Sequence, residues 1–263
     1  MTSYTIYFFF AAFAFYACAF AMNFFPSKND ASRAALAAVG FVLHTCALVP
    51  FLADAGAMPI GFPQGLAECV AWLCAATALA GFAFGIDAFK KLTIGAAAIL
   101  TVLPAFCPMF ADSAARQTAA AATVQIHALF AALSYALMVS AAACAAAGML
   151  KRAALKRRID AANSMFAMPL GRLNKTLKMA LVGAAAAMAV SVGFGAETLC
   201  RADFDARMGA KIAAGLCVFA VQIFTVANIL RQNIKDAPLE RLALALAAMS
   251  LAALIPIEAR NIL

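Results

Sequence analysis

Charge is scarce in this chain. Only 12% of its 263 residues are Asp, Glu, Lys or Arg, whereas 66% are hydrophobic and the mean hydropathy is +0.93. An average soluble domain carries roughly 25% charge, so the composition excludes a water-soluble protein and marks an integral membrane one. Histidine is scarcer still, with His44 and His127 the only two. A zinc site wants three or four ligands, and one histidine per helix with few carboxylates nearby does not supply them. Tryptophan occurs once, at Trp72. None of the eight cysteines forms a CxxC, and almost all lie inside apolar runs, where cysteine behaves as a small buried hydrophobe. No Gly-rich phosphate loop, Walker pattern, HExxH or GxSxG motif is present, so nothing marks an enzyme. The net charge of +8 reads as positive-inside loops rather than as a nucleic-acid footprint.

What the sequence has in abundance is apolar runs. A bilayer is crossed by about 20 such residues, and eight runs qualify: 4–25, 34–54, 66–87, 92–112, 122–149, 176–197, 210–230 and 242–260. Backbone polar groups must be satisfied inside lipid, so these runs predict helices. The expected fold is all-α, one polytopic membrane bundle of about eight transmembrane helices over 1–263. Alanine dominates several runs, and small residues let helices approach closely. Fifteen of the twenty basic residues fall in loops on one side, eight of them between runs five and six. The positive-inside rule places that side in the cytoplasm of a bacterial inner membrane, with both termini outside. The basic loop 151–175 divides the chain into five helices and three. Its opening Lys151-Arg152-Ala153-Ala154-Leu155-Lys156-Arg157-Arg158 continues helix five out of the membrane, where it meets anionic lipid headgroups. The N-terminal run lacks a basic leader and is too long for a cleaved signal, so the first helix is expected to be retained. No inverted repeat is visible, which disfavours a transporter.

Both histidines lie in apolar runs. His44 sits near the middle of run two, in Gly40-Phe41-Val42-Leu43-His44-Thr45-Cys46-Ala47-Leu48. His127 lies about one turn inside run five. Ionisable residues inside a membrane are costly and mark functional sites by default, and imidazole is the commonest proximal haem ligand. At about 1.5 Å of rise per residue the two stand roughly 10 Å apart along the membrane normal. The competing reading for each is a histidine hydrogen-bonded to a neighbouring carbonyl or hydroxyl that packs helices together. Tyr135 lies eight residues after His127, so its hydroxyl faces the same cavity or bonds a carbonyl in the bundle. Trp72 is expected as an interfacial anchor. Glu68, Asp87 and Glu258 at run ends are expected to be interfacial, with a proton relay as the alternative. The Gly- and Pro-rich segment 54–66 either caps a cavity above His44 or is a plain turn. Pro104 and Pro108 are expected to kink helix four.

The segment His127-Ala128-Leu129-Phe130-Ala131-Ala132-Leu133-Ser134-Tyr135-Ala136-Leu137, followed by an apolar stretch and Lys151-Arg152, resembles the helix-five signature of the cytochrome c assembly family. The branch it looks most like is the short bacterial inner-membrane one, described as CcsA-like, HemX-like or YpjD-like. In the same order, Gly40 to Leu48 resembles that family's intramembrane histidine helix. Gly65-Leu66-Ala67-Glu68-Cys69-Val70-Ala71-Trp72-Leu73 resembles the start of its third helix, and Met168-Pro169-Leu170 through Leu177 the approach to its sixth. The resemblance covers essentially the whole chain. It implies a membrane protein that binds or relays haem, accessory to cytochrome c maturation or haem biosynthesis, with partners from those processes.

Carried over, His44 and His127 become candidate haem ligands. Two departures stand out. The family's His-Lys pair opening helix seven is Ala210-Lys211 here, with Met208 two residues away as a replacement thioether ligand. The tryptophan-rich external motif of full haem-delivery members is missing, which argues against haem ligation to apocytochrome. Lys211 and Arg207 are candidate partners for haem propionates. The alternative functions are a membrane scaffold or regulator that has lost haem and, ranked last, a small-solute or proton-coupled transporter.

Overall fold

The computed structural model describes residues 3–24, 29–55, 63–106, 122–157, 168–199 and 206–254. Among them the chain is helical throughout: α1 (Ser3–Ala21), α2 (Asp30–Ala55), α3 (Pro63–Ala83), a π-helical turn (Phe89–Thr93) leading into α4 (Ile94–Phe106), α5 (Ala122–Lys156), α6 (Leu170–Leu199), α7 (Ala206–Leu230) and α8 (Asp236–Leu254). Five of these contain a stretch long and apolar enough to cross a membrane: α2, α3, α5, α6 and α7. In α1 the apolar stretch is shorter, Ile6–Ala21. The chain is therefore a helical membrane bundle. Pro104 falls in the closing turn of α4, and Pro108 and most of the 54–66 segment lie outside the described residues.

α5 is the shared wall of two cores. On one side Ala132 and Ala136 pack with Ala12, Tyr16 and Ala19 of α1, Ala37 of α2, Cys69 to Ala78 of α3 and Ile94 to Ala98 of α4. On the other, Met138, Ala141, Cys144 and Ala145 pack with α6, with α8, and with Phe89 and Leu92 of the π turn. Alanine is the common denominator. A methyl group lets backbones approach, so dispersion contacts and short interhelical hydrogen bonds replace the hydrophobic driving force that lipid removes. Ser134 Oγ, fully buried on α5, donates to the Ala184 carbonyl of α6 at 2.8 Å.

The helix ends explain themselves chemically. α3 stops in a Schellman motif: the Ile86 N–H reaches the Gly81 carbonyl and Gly85 takes φ +66°. Gly81 also lets the π turn lie against α3, since a Cβ there would stand 2.6 Å from the Lys90 nitrogen. α7 ends the same way, with Asn233 N–H to the Asn228 carbonyl and Gln232 at φ 56°.

One end of the bundle is basic and stitched by ion pairs. Lys90 bridges Asp30 (2.6 Å) and Asp87 (2.8 Å), Arg33 pairs with Asp30, and Arg172 of α6 reaches Asp87 (3.0 Å). Across the other core, Arg152 of α5 meets the buried Glu240 of α8 at 3.2 Å, in space that Gly148 leaves free. Asp87 is thus a link in this ion-pair chain.

Candidate functional site

The two histidines sit in different packings. His44 lies between α1, α2 and α3 and is wholly buried. Gly40, one turn before it, is what brings α1 close: a Cβ there would stand 2.7 Å from the Tyr16 ring. The Tyr16 hydroxyl therefore reaches His44 Nδ1 at 3.4 Å, and Phe9 meets the imidazole edge to face at 5.4 Å between centroids. The other ring nitrogen, Nε2, lies 3.3 Å from Glu68 Oε2 on α3. Glu68 is 4% exposed. It lies near the start of α3, which begins at Pro63, yet its side chain is buried within the bundle rather than exposed. A second contact clamps α2 to α3 beside the pair. The Trp72 indole stacks on Phe41 at 5.1 Å and donates its N–H to Thr45 Oγ1 at 2.9 Å. Trp72 thus spends its polar handle on a neighbouring helix.

His127 stands between α5 and α6 and is half-buried. Its Nδ1 is 2.7 Å from the Ser191 backbone carbonyl. A carbonyl only accepts, so Nδ1 carries the hydrogen, and in the neutral ring Nε2 holds the lone pair. Ser191 returns the contact, its Oγ donating to the His127 carbonyl at 3.0 Å. Gly195, one turn further along α6, leaves space for the ring: a Cβ there would stand 2.8 Å from Nδ1.

Tyr135 packs on the opposite core from His127's partners, against the α1–α4 side of α5. Eight residues on an α-helix rotate a side chain by about 80° at 3.6 residues per turn, which turns it away from α6. Met208 and Lys211 lie in the first turns of α7, with side chains outside the described residues. The backbone brings those turns to the end of the bundle where α6 finishes, the same end as His127. Glu258 lies outside the described residues. No group of three or more His, Cys, Asp or Glu side chains able to hold a metal ion exists among the described residues.

The two histidines differ as donors for haem. His127 fits an axial ligand, since a ring pinned through Nδ1 to a carbonyl, with the lone pair then on Nε2, is the usual state of a metal-binding histidine. His44 does not fit in this arrangement. Protein groups stand 3.4 and 3.3 Å from its two nitrogens, leaving no approach for iron. No family model matches the chain, and no curated protein or solved structure shows significant similarity to it.

Proposed function

We infer that this chain is a haem-handling protein of the bacterial inner membrane, of cytochrome c assembly type, in which His127 supplies the imidazole. The observation that carries the reading is the Nδ1 contact to the Ser191 carbonyl, which fixes the ring and its tautomer and leaves Nε2 as the donor atom. The ordered resemblance of four segments to that family supports it. In this reading all eight helices span, with both termini outside and the basic end in the cytoplasm. His127, Met208 and Lys211 then share the outer end, Met208 as a thioether donor and Lys211 as a propionate partner. Bound haem supplies the redox chemistry of its iron. The chain's own residues hold the imidazole, set its basicity through Ser191, and exclude water with the apolar flank of α5. The partners are proteins of cytochrome c maturation or haem synthesis. Ala210 in place of histidine favours a second reading, a scaffold without haem.

The absorption spectrum of the detergent-purified protein, oxidised and reduced, separates the two. The haem reading expects a Soret band that shifts on reduction. A colourless protein that also fails to take up added haemin overturns it and leaves the scaffold.

A further inference from the structure

Among the described residues His44 and Glu68 are the most deeply buried pair of ionisable side chains that face each other, and iron has no approach to them. Nε2 and Oε2 stand 3.3 Å apart, and neither has an aligned hydrogen-bond partner. Among the described side chains, the lysines and arginines all belong to the basic end, where Lys90, Arg33, Arg152 and Arg172 are engaged by other acids. No cation among the described residues balances Glu68. A buried carboxylate without a counter-charge neutralises itself instead of paying the desolvation cost, and a carboxylate–imidazolium pair in this setting loses two hydration shells for one contact.

We propose that Glu68 and His44 form an exchangeable-proton site inside the bundle, Glu68 being a protonated carboxylic acid whose O–H faces His44 Nε2. One proton satisfies both orphaned atoms. Its transfer breaks the Oε2–H bond and forms Nε2–H, leaving carboxylate beside imidazolium. The reverse transfer restores the neutral pair, and water is the outside source and acceptor. Tyr16 holds the ring through Nδ1 and sets which nitrogen faces the acid. The other titratable groups described in the apolar part of this half of the bundle are Tyr7 and Cys18 of α1, Cys46 of α2, all three exposed, Cys69 and Cys74 of α3 and Tyr135 of α5, and α4 carries none in 94–106. None is a cation, so none competes for the role of counter-ion.

Infrared spectra of the full-length protein in lipid nanodiscs, in H2O and D2O at neutral pH, test this. The wild type is expected to show the C=O stretch of a protonated carboxylic acid, shifted to lower frequency by D2O and lost in Glu68→Gln. Absence of an acid band, persistence of the band in Glu68→Gln, or a band that D2O leaves unmoved each overturns the proposal. Should Glu68→Gln fail to fold, Tyr16→Phe decides: the band is expected to shift when the hydroxyl on the far ring nitrogen is removed, and an unmoved band belongs to another carboxyl and overturns the assignment. The site does not rest on haem. A colourless protein that keeps the band overturns the haem reading alone.

Discussion

At the scale of single residues, glycines decide which side chains meet. Gly195 and Gly193 make a controlled pair on α6. A methyl at 195 would stand 2.8 and 2.9 Å from the imidazole of His127, whereas one at 193 meets nothing within 4 Å. Gly195→Ala is expected to push the ring off the Ser191 carbonyl and cost about 1–3 kcal/mol, the usual range for overpacking. Gly193→Ala is expected to leave stability nearly unchanged. Unfolding midpoints in detergent check both, and equal behaviour of the two variants would contradict the packing described for His127. The histidines themselves were legible as the polar anomalies of an apolar chain. Their partners were not. Ser191 and Glu68 come from helices 64 and 24 positions away in sequence, and no periodicity reports a contact between helices. The one sequence signal for the His44 site was Gly40 a turn before it, meaningful only once Tyr16 is seen lying over it.

At the scale of elements, the apolar runs mark where helices form, five of them long and apolar enough to cross a membrane, but not where the helices end. The run 176–197 sits inside an α6 that begins at Leu170, and 242–260 overlaps an α8 that begins at Asp236. The opening turns of both helices carry polar residues, so hydropathy is low there while the hydrogen bonding is still helical. For α5 the basic run after 150 does continue the helix, to Lys156. The π turn at Phe89–Thr93 had no sequence signature, since it depends on Gly81 of the facing helix. Helix ends also expose an unoptimised residue. Gln232 holds the left-handed position of the α7 cap at φ 56°, where glycine is favoured. Gln232→Gly is expected to stabilise the protein by about 0.5–1 kcal/mol. A loss of stability on thermal unfolding would show that the Gln232 side chain has a role of its own.

At the scale of the whole molecule, the basic end holds the two cores in register and gives the bundle a pH dependence. Burial opposes the charge of Asp87, but hydrogen bonds and charge from Lys90, with Lys91 and Arg172, hold its carboxyl below the ordinary range. Burial likewise opposes Lys90, and Asp30 and Asp87 hold it above its ordinary value. A depressed acid contributes stability that is present above the unfolded carboxylate range and lost as pH falls through its folded value. A raised base contributes stability present below its unfolded value and lost as pH rises through the folded one. The unfolding midpoint is therefore expected to fall on the acid side, and Asp87→Asn to flatten that limb while costing about 0.5–1 kcal/mol at neutral pH. An acid limb identical to wild type would remove Asp87 from the account.

Orientation is tested separately. Lys235→Cys, in the exposed turn between α7 and α8, is expected to react with an impermeant thiol reagent only in opened cells. Labelling in intact cells would reverse the topology.

In the haem reading the two histidines have different jobs. Haem content of His127→Ala and His44→Ala, purified side by side and read at the Soret band, tests it most directly. His127→Ala is expected to lose the band, and His44→Ala, if folded, to keep it. Loss in His44→Ala with retention in His127→Ala would contradict the assignment of iron to His127.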